Sequence, residues 1–284
     1  MGIIPYMKSL LLLVSALAIP VSGFAQFTPI ADDFSANGLL VGSSPDSGVG
    51  SWTQISNTSP SLSVSSGVLN LAASSGQSAQ LNFASANLST GTIYMGWDFT
   101  VATGDSIATG DTIQSIAGFR SGTAASGAFE VSFGVFRPSS SAQSFSGAPA
   151  TTTSQVAVGI FTGSSLNAAS SNLTEWTAAL NRGTQYRAVL GFDLDNDEVR
   201  LWIAPASPAS PSITIGSTAA VRGVFFRQGG ASHGSISLDN LTVSQNFGVA
   251  SAAVPEPGTF SLLAGLTASA AALSRRRRQQ RVLA

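Results

Sequence analysis

The sequence predicts an all-β fold, an antiparallel sandwich, and three observations carry that expectation. Apolar residues recur at every second position along most of residues 26–247. The alternating runs are separated by loops rich in Gly, Ser, Asn and Asp. Helical spacing is weak throughout, the one helix-like turn being residues 172–180 (NLTEWTAAL). Strands that are apolar on one side and polar on the other describe antiparallel sheets with one buried face.

In chain order, Leu62 aligns with Val64, Leu69 with Leu71 and Leu81 with Phe83. In residues 93–101 (IYMGWDFTV), Ile93, Met95, Trp97, Phe99 and Val101 share one face, opposite Tyr94, Gly96, Asp98 and Thr100. The pattern returns in Phe129, Val131, Phe133 and Val135, and in Val156, Val158 and Ile160. Tyr186, Ala188, Leu190, Phe192 and Leu194 form the next face, and a polar turn at Asp195-Asn196-Asp197 leads back through Val199, Leu201 and Ile203. Ile236 with Leu238 and Leu241 with Val243 close the series.

Composition narrows the function. The chain has 284 residues, of which 44% are hydrophobic and 10% charged, with one His and no Cys. Soluble proteins carry about 25% charged residues. Nucleic-acid binding through a basic patch is excluded, because the one Lys/Arg cluster lies in the last ten residues, beyond the sandwich. A disulfide scaffold and thiolate metal sites are excluded outright. Net charge is −1, but residues 26–254 hold seven Arg against thirteen acids, a net −6. The ends are basic and the body is acidic.

The first 25 residues read as a signal peptide. Residues 1–8 carry one positive charge, Lys8; residues 9–19 (SLLLLVSALAI) are apolar; Gly23-Phe24-Ala25 is a small-x-small site before Gln26. Such a run is too short for a span of about 20 residues, and the order is that of an export signal. Signal peptidase and the secretion translocon are the partners it implies.

At the other end, Val254-Pro255-Glu256-Pro257-Gly258 precedes an apolar stretch, residues 259–273, and then Arg275, Arg276, Arg277 and Arg278. Two prolines around Glu256 hold the backbone extended, as a protease cleft requires. Fifteen residues make a helix of about 22 Å, a weak anchor for a hydrocarbon core of about 30 Å, and the arginines hold its end on the cytoplasmic side. This tripartite tail resembles the PEP-CTERM sorting signal of Gram-negative bacteria. The resemblance implies that an exosortase recognises Pro255, Glu256 and Pro257, that Arg275–Arg278 form the cytoplasmic stop, and that inner-membrane anchoring is transient. It implies release or transfer to the cell surface or to an exopolysaccharide matrix. The expected organisation is a signal peptide over 1–25, a β-sandwich ectodomain over 26–247, a linker over 248–254 and the sorting signal over 255–284.

Asp32-Asp33-Phe34 near the start of the ectodomain and Leu238-Asp239-Asn240-Leu241-Thr242-Val243 at its close resemble concanavalin A-like (LamG-type) jelly rolls, in which first and last strands lie side by side. There Asp33 and Asp239, with Asp32, are candidates for a structural calcium site; the alternative is that Asp239-Asn240 caps a turn and Asp33 bonds backbone. Asp193, Asp195 and Asp197 alternate like calcium ligands, but the sixth and twelfth loop positions are Glu198 and Ala204 rather than Gly and Glu, which favours a hairpin turn. The Glu-x-Asp-x-x-Glu signature of hydrolases on this fold is absent, and His233 lies in a Gly/Ser loop without a nucleophile elbow. Trp202 lies between Leu201 and Ile203 on the opposite face and is a candidate sugar contact.

These features describe an exported, non-enzymatic surface protein without a cofactor other than that calcium. A lectin-like carbohydrate-binding module and, behind it, a polysaccharide-degrading enzyme are the alternatives. Mass analysis of the exported chain is expected to give Gln26 as its first residue; a start upstream of Gly23 would contradict the assignment.

Overall fold

A computed structural model describes residues 27–55, 62–72, 76–83, 87–105, 107, 112–122, 129–137, 148, 151–163, 165–167, 174–177, 179–228 and 234–252. The strands among them are β1 (Ile30–Asp32), β2 (Gly38–Leu39), β3 (Thr53–Gln54), β4 (Ser63–Ser65), β5 (Val68–Leu71), β6 (Gln77–Asn82), β7 (Thr92–Val101), β8 (Thr112–Arg120) and β9 (Phe129–Phe136). They continue as β10 (Gln155–Thr162), β11 (Ser165–Asn167), β12 (Thr174–Trp176), β13 (Leu180–Asn181), β14 (Gln185–Asp193), β15 (Glu198–Ile203), β16 (Ile213–Gly216), β17 (Gly223–Gln228) and β18 (Ile236–Ser244), and helix α1 (Phe247–Ser251) comes last. The protein is an all-β sandwich of two antiparallel sheets.

One sheet runs β16-β15-β14-β7-β18-β5-β4-β2, with β1 also on β18. The other runs β12-β10-β9-β8-β17-β6-β3, with β11 on β8 and β13 on β10. First and last strands lie side by side as the sequence suggested, Ile30 opposite Val243 and Asp32 opposite Leu241. The residues expected on inner faces are inside: Ile93, Met95, Trp97, Phe99 and Val101 join Phe133, Leu190, Phe192 and Leu238 in one core. Aromatic rings stitch the sheets together. Trp97 and Phe99 both meet Phe133 across the interface, at centroid distances of 5.2 and 5.3 Å in the edge-to-face arrangement that ring quadrupoles favour.

Two features depart from the pattern reading. Part of the helix-like turn at 172–180 is strand: residues 174–176 pair with β10, Trp176 opposite Gly159. An available sheet edge overrides the weak local helical preference of three residues. The second departure is larger. The polar faces of both sheets are also buried in part, with Ser115, Arg120 and Ser132 fully enclosed and Asp98 6% exposed. Arg120 offsets its burial by donating from Nη1 to Gln80 Oε1 at 2.5 Å and by lying 4.9 Å from the Phe129 ring centre, a cation–π contact. Arg227 approaches the same ring at 5.1 Å.

Asp32 ties β1 of one sheet to the segment that enters β3 of the other. Trp52 Nε1 donates to its Oδ2 at 2.8 Å and the Phe34 N–H to its Oδ1 at 3.0 Å, while Trp52 stacks on Phe226 of the opposite sheet at 5.6 Å. Burial pushes the Asp32 carboxyl up to about 6, against the pull of those hydrogen bonds. The folded chain therefore holds this proton more tightly than the unfolded one. The resulting stability is fully present below about pH 4 and is lost as pH rises through about 6. Asp33 shifts the other way, since hydrogen bonds with Asp46 and Ser35 outweigh its burial. Comparing melting temperatures of wild type and Asp32→Asn isolates the Asp32 contribution: wild type should lose ground relative to the variant between about pH 4 and pH 6. Parallel pH profiles would contradict the burial of this carboxyl.

Candidate functional site

Charged and aromatic side chains gather on the outer face of the first sheet, beside the end of the described chain. β14 and β7 are in register so that Arg187 lies opposite Asp98, and β18 brings Asp239 to the other side of Asp98. A register shift between Asp239 and Thr242 puts Asn240 in the left-handed region, φ +53°, a conformation Asn tolerates well. The Asn240 side chain then donates from Nδ2 to Asp98 Oδ2 at 2.8 Å.

Arg187 is the hub. Its Nη1 reaches Asp98 Oδ1 at 3.2 Å and the Asn240 carbonyl at 2.5 Å. Its Nη2 donates to Thr242 Oγ1 and to the Ala250 carbonyl, both at 2.7 Å, and Nε adds a second bond to Ala250 O at 3.2 Å. Burial holds the guanidinium below its ordinary value, and the neighbouring Asp98 offsets only part of that. One planar fork thus connects β7, β14, β18 and α1.

Helix α1 is capped by Asn246, whose Oδ1 accepts from the Gly248 N–H at 2.8 Å. Phe247 then inserts between Tyr94 and Trp202, edge to face with both, at 5.5 and 5.1 Å. Ala250 is fully buried. Its carbonyl, one of the orphan acceptors of a helix end, is the one Arg187 takes. The approach is so close that a Cβ on Gly96 would lie 1.8 Å from Ala250 O, which is why this strand position has no side chain. The packed structure therefore continues past Phe247 into the segment expected to be a linker.

The residues singled out in the sequence separate into groups. Trp202 is on the outer face, but it is 3% exposed, covered by Phe247, and donates from Nε1 to Pro208 O at 3.3 Å. It borders a groove of about 150 Å³ with Tyr94, Asp193, Glu198 and Arg200, and its ring is no open stacking platform. Asp193, Asp195 and Asp197 form the hairpin turn: Asp193 Oδ1 accepts from the Asp195 and Asn196 N–H groups at 3.1 and 3.2 Å.

The calcium candidates have local partners. The Asp33 N–H donates to Asp46 Oδ2 at 2.7 Å, and its Oδ1 accepts from the Ser35 N–H at 2.9 Å. Asp239 Oδ1 accepts from the Asn240 N–H at 2.7 Å. Among the described residues, no three His, Cys, Asp or Glu side chains converge as metal ligands would. His233, the signal-cleavage residues Ala25 and Gln26, the motif Pro255, Glu256 and Pro257, and Arg275–Arg278 lie outside the described residues. No helix among the described residues is long and apolar enough to cross a membrane. Sequence reasoning missed α1 and its Arg187 anchor; the available signal was Asn246, a good N-cap residue, directly before Phe247.

The fold and this junction define an antiparallel β-sandwich with a helical latch at its C-terminal exit. Directly after the latch comes a PEP-CTERM protein-sorting motif, matched over residues 253–278. A motif of that kind implies export and a surface or membrane-associated location. No curated protein matches the chain significantly. Among solved structures, it is similar to the CBM2 module of Lactobacillus casei BL23 phage J-1 evolved Dit at 12% identity, covering 77% of this chain and 96% of that one, TM-score 0.43. It is similar also to the VIP36 exoplasmic/lumenal domain in its Ca2+/Man-bound form, at 10% identity, 69% and 83% coverage and TM-score 0.45. A third similar structure is alginate lyase A1-II′ of polysaccharide lyase family 7, at 11% identity, 66% and 84% coverage and TM-score 0.37.

Removing one partner of a buried ion pair strands the other. Arg187→Ala should therefore lower the unfolding free energy in urea by about 3–5 kcal/mol, whereas Arg200→Ala, which breaks the exposed pair with Glu198, should cost less than about 1 kcal/mol. Equal losses would contradict the role given to Arg187.

Proposed function

We propose that this chain is a non-enzymatic protein of the cell surface or extracellular matrix, delivered by its sorting tail and retained with exopolysaccharide. The observation that carries the reading is the position of the motif. Pro255 comes three residues after Ala252, the residue whose N–H bonds back to Gly248 O at the end of α1. Three extended residues reach about 10 Å. The apolar stretch begins at residue 259, seven positions after Ala252, a reach of at most about 25 Å. The folded sandwich thus stays close to the membrane face while the tail is engaged, with the Pro-Glu-Pro segment between the two.

Each segment contributes one step by its own chemistry. The N-terminal signal directs export, and the apolar stretch with its arginines halts transfer. An exosortase then acts at Pro255-Glu256-Pro257 and separates the sandwich from its anchor. A matrix role suits a body with seven arginines against thirteen acids, which repels like-charged neighbours and stays hydrated. The non-enzymatic reading is supported by how the carboxylates are used. Asp98 pairs with Arg187 and Glu198 with Arg200, Asp32 accepts from Trp52, and Glu130 accepts from Ser121.

Glu256→Ala with cell fractionation tests the proposal. The variant should accumulate in the membrane fraction at the mass of the unprocessed chain, while wild type reaches the surface. Processing and location unchanged from wild type would overturn it.

A further inference from the structure

We infer that the mouth of the sandwich between Arg137 and Arg182 is a binding site for a carboxylate-bearing saccharide, a uronate unit of an acidic glycan. The inference rests on the reading of the chain as a surface protein and gives it a ligand class. The site is a cavity of about 400 Å³, within the size range of small-ligand pockets. Both sheets build it. Thr103 and Asp105 follow β7 and Arg182 precedes β14 in one sheet; Arg137 follows β9 and Thr153 and Ser154 precede β10 in the other.

Its positive charge is offset only in part from within, by Asp105, whose carboxyl feels the Arg182 charge. Arg182 is held in place by neutral acceptors: Nε donates to Ala102 O at 2.8 Å, Nη2 to Asp105 O at 2.6 Å and again to Ala102 O, and Nη1 to Thr153 O at 3.2 Å. Four bonds to carbonyls fix the guanidinium without cancelling its charge. Arg137 has a buried Nε with no hydrogen-bond partner, a group that costs free energy until something accepts from it. The ion pairs among the described residues are Arg187–Asp98 and Arg200–Glu198, so neither arginine of the cavity has a carboxylate of its own among them. The acid in the lining, Asp105, is drawn to the opposite loop, its Oδ2 accepting from the Ser235 N–H at 2.7 Å. Two cations and one anion leave a positive site in an acidic body.

The rest of the lining selects the ligand. Thr103, Thr153 and Ser154 are exposed hydroxyl residues, matched to a ligand that carries hydroxyls. Ile107 supplies an apolar wall for the C–H face of a sugar ring. An acidic peptide fits less well, because it brings backbone N–H groups that need acceptors, and Arg182 already occupies the carbonyls of Ala102, Asp105 and Thr153. A carboxylate accepting from Arg137 Nε would satisfy both groups through a charge-assisted bond.

The test is calorimetric titration of the full-length chain in detergent with oligogalacturonate, with its carboxyl-reduced neutral counterpart, and with oligoglutamate as competitor. Wild type should bind the uronate, fail to bind the neutral form and keep its ligand against oligoglutamate. Arg137→Gln should weaken binding about tenfold or more, Ser154→Glu should abolish it by placing a like charge on the rim, and Arg200→Gln should leave it intact. Because Arg137 Nε bonds nothing in the fold, its variant should melt as wild type does; Ser154→Glu, at an exposed position, tests the site should it not. Binding that is absent, indifferent to the carboxyl groups, or unaffected by both site variants would overturn the assignment. Displacement by oligoglutamate would overturn it in favour of an acidic peptide. None of these outcomes depends on processing at Glu256, so failure here and failure of the sorting proposal are read separately.

Discussion

A guanidinium and a carboxylate placed on the wrong side of a sheet hold this structure together. Asp98 lies on the face of β7 that alternation assigns to water, yet it is 6% exposed, and a carboxylate so placed is tolerable only with a full set of partners. Arg187 and Asn240 provide them. The same guanidinium then has donors left over, and it directs them to Thr242 and to the Ala250 carbonyl in the last turn of α1. Lose the arginine, and the buried Asp98 carboxylate keeps only the neutral donors Asn240 and Gln185, while the Ala250 carbonyl keeps only Thr242 Oγ1.

That coupling bears on the delivery proposed above. A sorting tail on a flexible linker would let the domain wander from the membrane while the motif is engaged. Here α1 is anchored by Arg187 and by Phe247 between Tyr94 and Trp202, so the tail leaves the sandwich from a fixed point. Folding and presentation are linked through this contact: until β7, β14 and β18 are assembled, α1 has no surface to dock on. The cavity between Arg137 and Arg182 draws its lining from both sheets and depends on the same assembly.

Much of this was legible in the sequence. Period-two alternation identified the inner faces because core burial is a local, repetitive constraint, and residues 93–101 and 185–203 read off almost without error. The DDF and LDNLTV segments indicated the pairing of first and last strands. The three-part tail was legible because each part has its own composition. The outer face was not. Arg187 and Asp98 occupy positions where a polar residue is expected, and only their juxtaposition 89 positions apart reveals that both are buried. Helix α1 has five residues, too few for a periodic signal, so it read as linker. Trp202 looked like an exposed aromatic for the same reason: its cover is Phe247, far along the chain. The cavity arginines stand at strand ends, where sequence pattern carries no register.

If α1 belongs to the folded sandwich, the chain must be parted downstream of it. Mapping the C-terminal peptide of protein recovered from the cell surface tests this without intermediaries. The terminus should fall within or just beside Pro255-Glu256-Pro257, with residues 247–251 retained and Arg275–Arg278 gone. A mature chain ending before Phe247, or one still carrying the arginine cluster, would contradict it.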